Sequence, residues 1–251
     1  MPETLDPAQH VRPFVYETLT RKALHFSICE VQSRMDLRDP YALDLEYTRT
    51  MMAFLLFAPA PRHITMIGLG GGSLAKFCHR HLPHARIDVV EINPHVIALR
   101  DDFHVPPDDA RFRVIAGNGA RYVRGGATRC DTLMVDGFDS DGQPGGLCSQ
   151  RFYDDACDML QPGGMLVVNL HSGHRDHARH LERIRRSFAG AMLVVDDGGL
   201  GNSIVFACKG PALERFRPGV VRPPKGLSKD AAKPLLAAFA LVSSAWKEQF
   251  G

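Results

Sequence analysis

The sequence predicts an α/β protein built on a mostly parallel β-sheet with helices on both faces. Three observations lead there. Short apolar runs alternate with amphipathic helical patterns from residue 63 to residue 188, a glycine-rich turn joins the first run to its helix, and the last two apolar runs follow each other with no room for a helix between them. With 251 residues and 45% hydrophobic side chains, the chain can bury one sizeable core with small additions. Thirty Lys and Arg against 28 Asp and Glu give a formal charge of +2, which argues against a strongly basic surface, so no nucleic-acid partner is expected. The segment MPETLDPAQH has no apolar core of a signal sequence, and no later run is long and apolar enough to span a membrane, so a cytoplasmic protein is expected. The six cysteines (Cys29, Cys78, Cys130, Cys148, Cys157, Cys208) are scattered without a CxxC pair, which predicts reduced thiols rather than disulfides or zinc ligands.

Taken in order, the alternation in PFVYETLT, KALHFSI and EVQSRMDL predicts a short antiparallel meander over residues 13–37. Residues 45–57, with Met51, Met52, Phe54, Leu55 and Phe57, read as a connecting helix that ends at Pro59 and Pro61. Strands are then expected at 63–68, 86–91, 112–116, 132–136 and 165–170, with helices at 73–81, 94–103, 119–124, 149–160 and 174–188. The runs at 191–195 and 203–208 are joined by the turn-rich DDGGLGN and should pair antiparallel. Five alternating strands plus a terminal hairpin match the Rossmann-like, seven-stranded fold of S-adenosylmethionine-dependent methyltransferases, here with a small N-terminal β-element. Beyond Lys209, RPGVVRPPKG leads to a helix with Ser228 as N-cap, whose Leu235, Leu236, Phe239 and Trp246 should dock on the domain or on another subunit. The expected organisation is a meander and connecting helix (1–58), a nucleoside-binding catalytic domain (59–210), and a Pro-rich linker with a C-terminal helix (211–251).

Two sites carry the chemistry. IGLGGGS lies between a strand and a helix, and Glu91 closes the next strand about twenty residues on, which is the pattern of a nucleoside site. Glycines such as Gly68, Gly70, Gly71 and Gly72 permit a tight turn and close backbone approach to a ligand, and Glu91 can accept hydrogen bonds from two ribose hydroxyls. The second site is VDGFDSDG, where the fourth strand of the alternating series ends. Asp136 and Asp139 there should face the same crevice, because ligands of open α/β sheets lie beyond the carboxyl ends of the strands. A carboxylate beside a sulfonium can hold a protonated amine, help remove its proton and aim its lone pair at the carbon next to sulfur.

These segments resemble the spermidine synthase family, the polyamine aminopropyltransferases, and in particular its shorter bacterial branch. The likeness runs from about Gln32 to Lys209 and rests on IGLGGGS, VVEINP, VIAGNGARYV and CDTLMVDGFDSDGQPGGLCSQRFYDDACDMLQPGGMLVVN. It implies transfer of an aminopropyl group from decarboxylated S-adenosylmethionine to an amine such as putrescine, giving methylthioadenosine and spermidine. It further implies Asp136 as the base, Asp139 as a diamine anchor, Tyr47 in YTRTMM as a substrate-pocket residue, Glu91 as the ribose partner, and Asn118 and Gly119 beside the adenine; Gln32, in the segment leading towards Tyr47, reads either as a pocket residue or as an exposed strand glutamine. No metal is implied.

The chain also departs from that family. Gly71 stands where the family has an aspartate for the donor's ammonium, Asn118 where it has an aspartate, and Asn202 and Ser203 where an aromatic residue walls the amine site. Two alternatives therefore stand beside aminopropyl transfer. One is a methyltransferase using S-adenosylmethionine itself, which would share the glycines and Glu91, although Met66 occupies the place where such enzymes carry an acid. The other is a nucleoside-binding protein without catalysis. His171, His174, His177 and His180 recur every third residue and are expected to form a solvated, partly basic face rather than a metal site, and RHLERIRR is expected to be the polar face of a surface helix. A homodimer is expected, with the N-terminal β-element or the C-terminal helix as its interface.

Overall fold

The computed structural model describes residues 5–27, 31–126, 128–138, 142–196, 201–219, 224 and 226–251. Strands β1 (Phe14–Glu17), β2 (Arg21–His25) and β3 (Val31–Asp36) form the N-terminal antiparallel meander in the order β1-β2-β3. Its inner side chains, Leu24 and Met35, join the main core, whereas every residue of β1 is exposed. Helix α1 (Glu46–Met51) follows and tightens into a 3-10 turn (Met52–Leu56), so the expected helix is present but its second half is over-wound. Met51, Met52, Phe54 and Leu55 are all buried.

Strands β4 (His63–Ile67), β5 (Arg86–Glu91), β6 (Phe112–Ala116), β7 (Cys130–Val135), β8 (Leu160–His171), β9 (Met192–Asp196) and β10 (Asn202–Cys208) make one sheet in the order β6-β5-β4-β7-β8-β10-β9. The pairs β4–β5, β5–β6, β4–β7 and β7–β8 are parallel, and β10 runs antiparallel to both β8 and β9, as the missing helix between the last two runs requires. Neighbouring residues along each strand serve opposite faces. Met66, Met134, Val167 and Phe206 fall in one core with α1, while Ile67, Val135, Val168 and Val205 fall in the other. Successive side chains of a strand point to opposite sides, so a strand covered on both faces is buried at every residue, as β4 is, with His63 and Thr65 its polar members.

Helix α2 (Ser73–His81) leaves the glycine turn, and α3 (Pro94–Ala98), α4 (Gly119–Gly125), α5 (Gln150–Met159) and α6 (His177–Ser187) complete the crossovers. Helix α3 is shorter than the expected 94–103. Asp101 and Asp102 would bring two negative charges to a helix C-terminus, and residues 99–104 form turns instead. Beyond the sheet, α7 (Ala212–Arg215) and α8 (Lys229–Ala232) precede α9 (Leu236–Phe250). Ser228 caps α8 by accepting from Ala231 N at 3.2 Å, but the single helix expected there is divided by a 3-10 turn at Lys233–Leu235. Pro234 sits in that turn and has no N–H for a continuous ladder. Helix α9 packs on α1 and β9 through Phe239, Val242 and Trp246, whose Nε1 donates to Leu213 O at 2.8 Å. Leu236 is 38% exposed and lies outside that seam, so of the two expected partners it does not dock on the domain of its own chain. No helix among the described residues is long and apolar enough to cross a membrane.

Candidate active site

Strand order reverses at β4, with β5 and β6 on one side and β7 and β8 on the other, so a crevice opens where β4 and β7 end. Gly68 is the first residue past β4. At φ +98° it lies so near β7 that a Cβ there would stand 2.3 Å from the Asp136 carbonyl oxygen, and only glycine fits. The cleft above this junction has a volume of about 1120 Å³, and Gln32, Tyr47, Gly68, Gly70, Glu91, Asn118, Gly119 and Asp136 all line it. Gly71 and Gly72 do not. A Cβ on Gly71 would meet Ser33 Oγ at 2.7 Å and the Phe103 ring at 2.8 Å, and one on Gly72 would meet Val105, so these two face packed side chains rather than the cleft. Asp139 lies outside the described residues, as do Cys29 and Asp141.

Glu91 ends β5 and is buried at 7% exposure. Its Oε2 accepts from Leu69 N in the glycine turn at 2.8 Å, and its Oε1 accepts from Asn93 N at 2.7 Å. Burial raises its pKa, against the pull of backbone N–H groups at Asn93, Leu69, Ile92 and Gly70. An ionised carboxylate has about four lone-pair sites, and the Leu69 and Asn93 N–H groups take two of them at hydrogen-bond distance. The carboxylate thus ties the glycine turn to β5 while lining the cleft.

Asp136 follows β7 and its carboxyl is held by two neutral donors. Asn169 Nδ2, from β8, reaches Oδ1 at 2.9 Å, and Tyr47 Oη, from α1, reaches Oδ2 at 3.1 Å. Burial raises the Asp136 pKa, while the Asn169 and Tyr47 hydrogen bonds lower it. Tyr47 is raised well above its ordinary value, first by burial and then by the Asp136 charge, so it remains a phenol and a donor. The result is a carboxylate oriented by hydrogen bonds but more basic than one paired with a cation. Asn169 carried no expectation, although a polar residue inside the apolar run MLVVNL is a legible signal, since buried polar groups are rare without a purpose.

The remaining lining residues shape the cleft. Asn118 is the N-cap of α4, accepting from Arg121 N at 3.0 Å, and a Cβ on Gly119 would strike Ile67 Cγ2 at 2.3 Å, so α4 begins hard against the end of β4. His171, exposed at the end of β8, also lines the cleft. The histidines beyond it do not form a uniformly solvated face. His180 is buried at 6% exposure, with its ring stacked on His174 at a centroid distance of 6.0 Å, because α6 turns that residue inward beside α5. Among the described residues, no group of three or more His, Cys, Asp or Glu is arranged to hold a metal ion.

Residues 45–191, more than half of the chain, match the spermine/spermidine synthase domain model. The chain belongs to the spermine/spermidine synthase family. Within that family, a polyamine aminopropyltransferase of Neisseria meningitidis serogroup A is 39% identical over 188 residues, spanning 74% of this chain and 72% of the relative. Among solved structures, a probable spermidine synthase from Corynebacterium glutamicum superposes with a TM-score of 0.68 at 19% identity, covering 90% of this chain and 91% of that one. Human methyltransferase-like protein 13, solved with SAH, superposes at 0.60 with 23% identity over 82% of this chain and 95% of that one. Both structural matches bear on the fold, which the spermine/spermidine synthase family shares with methyltransferases.

Proposed function

We propose that the chain transfers an aminopropyl group from decarboxylated S-adenosylmethionine to a small diamine such as putrescine, releasing methylthioadenosine and the elongated polyamine. One observation carries this: the Asp136 carboxyl, held by Asn169 and Tyr47, lines the same cleft as Glu91 and the glycine turn. In this proposal Glu91 binds the ribose, Gly68, Gly70, Asn118 and Gly119 bound the nucleoside, and Tyr47, Gln32 and Asp139 contact the amine. Asp136 accepts a proton from the acceptor ammonium, which frees the nitrogen lone pair. The amine nitrogen then forms a bond to the carbon beside the sulfonium, the C–S bond breaks, and its electron pair passes to sulfur to leave a neutral thioether. The product amine carries the positive charge, and the proton on Asp136 returns to solvent.

The packing at Gly71 favours a second possibility, a methyl transfer from S-adenosylmethionine itself. Ser33 and Phe103 occupy the space an acid at that position would need, so no carboxylate there selects a cationic tail. Incubation with each donor and putrescine, followed by chromatography of nucleoside and amine products, separates the two. Methylthioadenosine and spermidine in equal amounts are expected from the decarboxylated donor; S-adenosylhomocysteine formed from S-adenosylmethionine would overturn the assignment. The proposal extends to a cytoplasmic homodimer without a nucleic-acid partner. Exposed Phe14, Val15, Tyr16 and Leu19 at β1 and its turn support the dimer, and the free cysteines fit a reducing compartment.

A further inference from the structure

The N-terminal segment before β1 crosses the cleft on its Glu91 side. Gln9, His10 and Val11 line the cleft together with Glu91, Ile92 and Asn93. The segment has a shape of its own, because Asp6 accepts from Ala8 N at 3.0 Å and caps a 3-10 turn at Pro7–Gln9. Two side chains from the start of α3 tether it: Asn93 Nδ2 donates to Val11 O at 2.8 Å and His95 Nε2 donates to Pro7 O at 3.2 Å. Buried Pro13 pins its far end.

Asn93 links this segment to the carboxylate. Only 6% exposed, it donates its backbone N–H to Glu91 Oε1 at 2.7 Å, caps α3 by accepting from His95 N at 2.9 Å, and spends its amide N–H on Val11. The residue that helps orient the Glu91 carboxylate therefore also sets where the segment lies. Val11 is 49% exposed and Ile92 is 38% exposed, although both line the cleft beside that carboxylate. Two uncovered apolar side chains next to a hydroxyl-binding acid suit a ligand with a flat apolar face and a polyhydroxylated ring, which is the chemistry of a purine nucleoside.

We propose that Gln9, His10 and Val11 form a wall of the nucleoside site, positioned by Asn93 and completed when the base covers Val11 and Ile92. The proposal rests on the assignment of Glu91 as the ribose partner. The segment buries little of its own, so the unliganded wall should open easily and the bound nucleoside should hold it closed.

Hydrogen exchange of the full chain with and without saturating methylthioadenosine tests this. Amides of residues 8–12 and of 68–72 should both slow by roughly tenfold or more. Val11→Gly should weaken methylthioadenosine binding about fivefold through lost apolar cover, and Val11→Ile should restore it. Protection at 68–72 with no change at 8–12, and wild-type affinity in Val11→Gly, would overturn the wall and leave the ribose assignment standing. No protection at 68–72 would remove both.

Discussion

Asp88 and Asp136 are acids of one sheet, the first within β5 and the second just past β7 on the other side of β4, and they differ in the company they keep. Asp88, within β5, is fully buried and meets three basic side chains: His63 Nε2 at 2.9 Å, Arg113 Nη2 at 2.9 Å and Arg86 Nη2 at 3.3 Å. Burial pushes its pKa up, but the His63 and Arg113 hydrogen bonds and the arginine charges outweigh that and hold it below the ordinary value. Among the described residues the Asp136 carboxyl meets an amide and a phenol, and burial wins. Charged partners make a carboxylate a structural fixture, whereas neutral donors aim it and leave it basic. The contrast separates an acid that supports the fold from one suited to take a proton.

The largest expected break in that contrast is Asp136→Asn. It should lower kcat by about a thousandfold, the scale of a lost general base, when product formation is followed. Stability should hold or rise. The folded-state pKa of Asp136 is raised, so its contribution to stability is present below the unfolded value of about 3.9 and is lost as pH rises through the folded value; at neutral pH the charged side chain is a net cost.

Asp88→Asn should act in the opposite register. It should cost about 3 kcal/mol in urea unfolding, because it leaves His63 and two arginines without their buried counter-charge, while activity per folded molecule changes little. The lowered Asp88 pKa contributes stability above about pH 3.9 that is lost as pH falls through the folded value, so the variant's stability should fall less steeply in acid.

A smaller effect sharpens the comparison at Asp136 itself. The acid limb of kcat/KM should lie above the ordinary carboxylate range, with activity rising as pH rises through the raised pKa. Asn169→Leu should move that limb to higher pH, and Tyr47→Phe should do so to a lesser extent, since Asn169 lowers the pKa more. Each should reduce kcat/KM at neutral pH by roughly tenfold. A limb unmoved in both variants would detach Asp136 from the pH dependence.

The smallest effect concerns a buried cation whose hydrogen bonds, among the described residues, go to uncharged acceptors. Lys76 in α2 donates to Phe103 O at 2.7 Å and to Met35 Sδ at 3.2 Å, and burial lowers its pKa to about 8. The wild type should therefore gain stability between about pH 8 and pH 10.4, where the unfolded chain still holds the proton that the folded chain has released. Lys76→Met should lose that alkaline gain and change stability at neutral pH by about 1 kcal/mol or less, as the lost bond to Phe103 O offsets the removed charge.

The sheet was legible because periodicity reports burial. β4 through β8 are apolar runs punctuated by helices, and the few residues of DDGGLGN leave no space for a crossover helix, which makes β10 antiparallel. Helix ends were less legible, since they depend on local conflicts such as the Asp101–Asp102 pair and Pro234. Of the site, the glycine turn, Glu91 and Asp136 could be found from strand ends alone. Asn169 is marked by its polarity in an apolar run, but its bond to Asp136 needed the pairing of β8 beside β7, and the packed position of Gly71 needed the contacts of Ser33 and Phe103. Long-range contacts of that kind leave no periodic trace in the chain.

The most direct measurement sets the affinity of Asp136→Asn for methylthioadenosine beside its single-turnover rate with decarboxylated S-adenosylmethionine and putrescine. Wild-type affinity with turnover reduced about a thousandfold is the expected result. Turnover within a few-fold of the wild type, with the nucleoside still bound, would contradict the assignment of Asp136 as the proton acceptor.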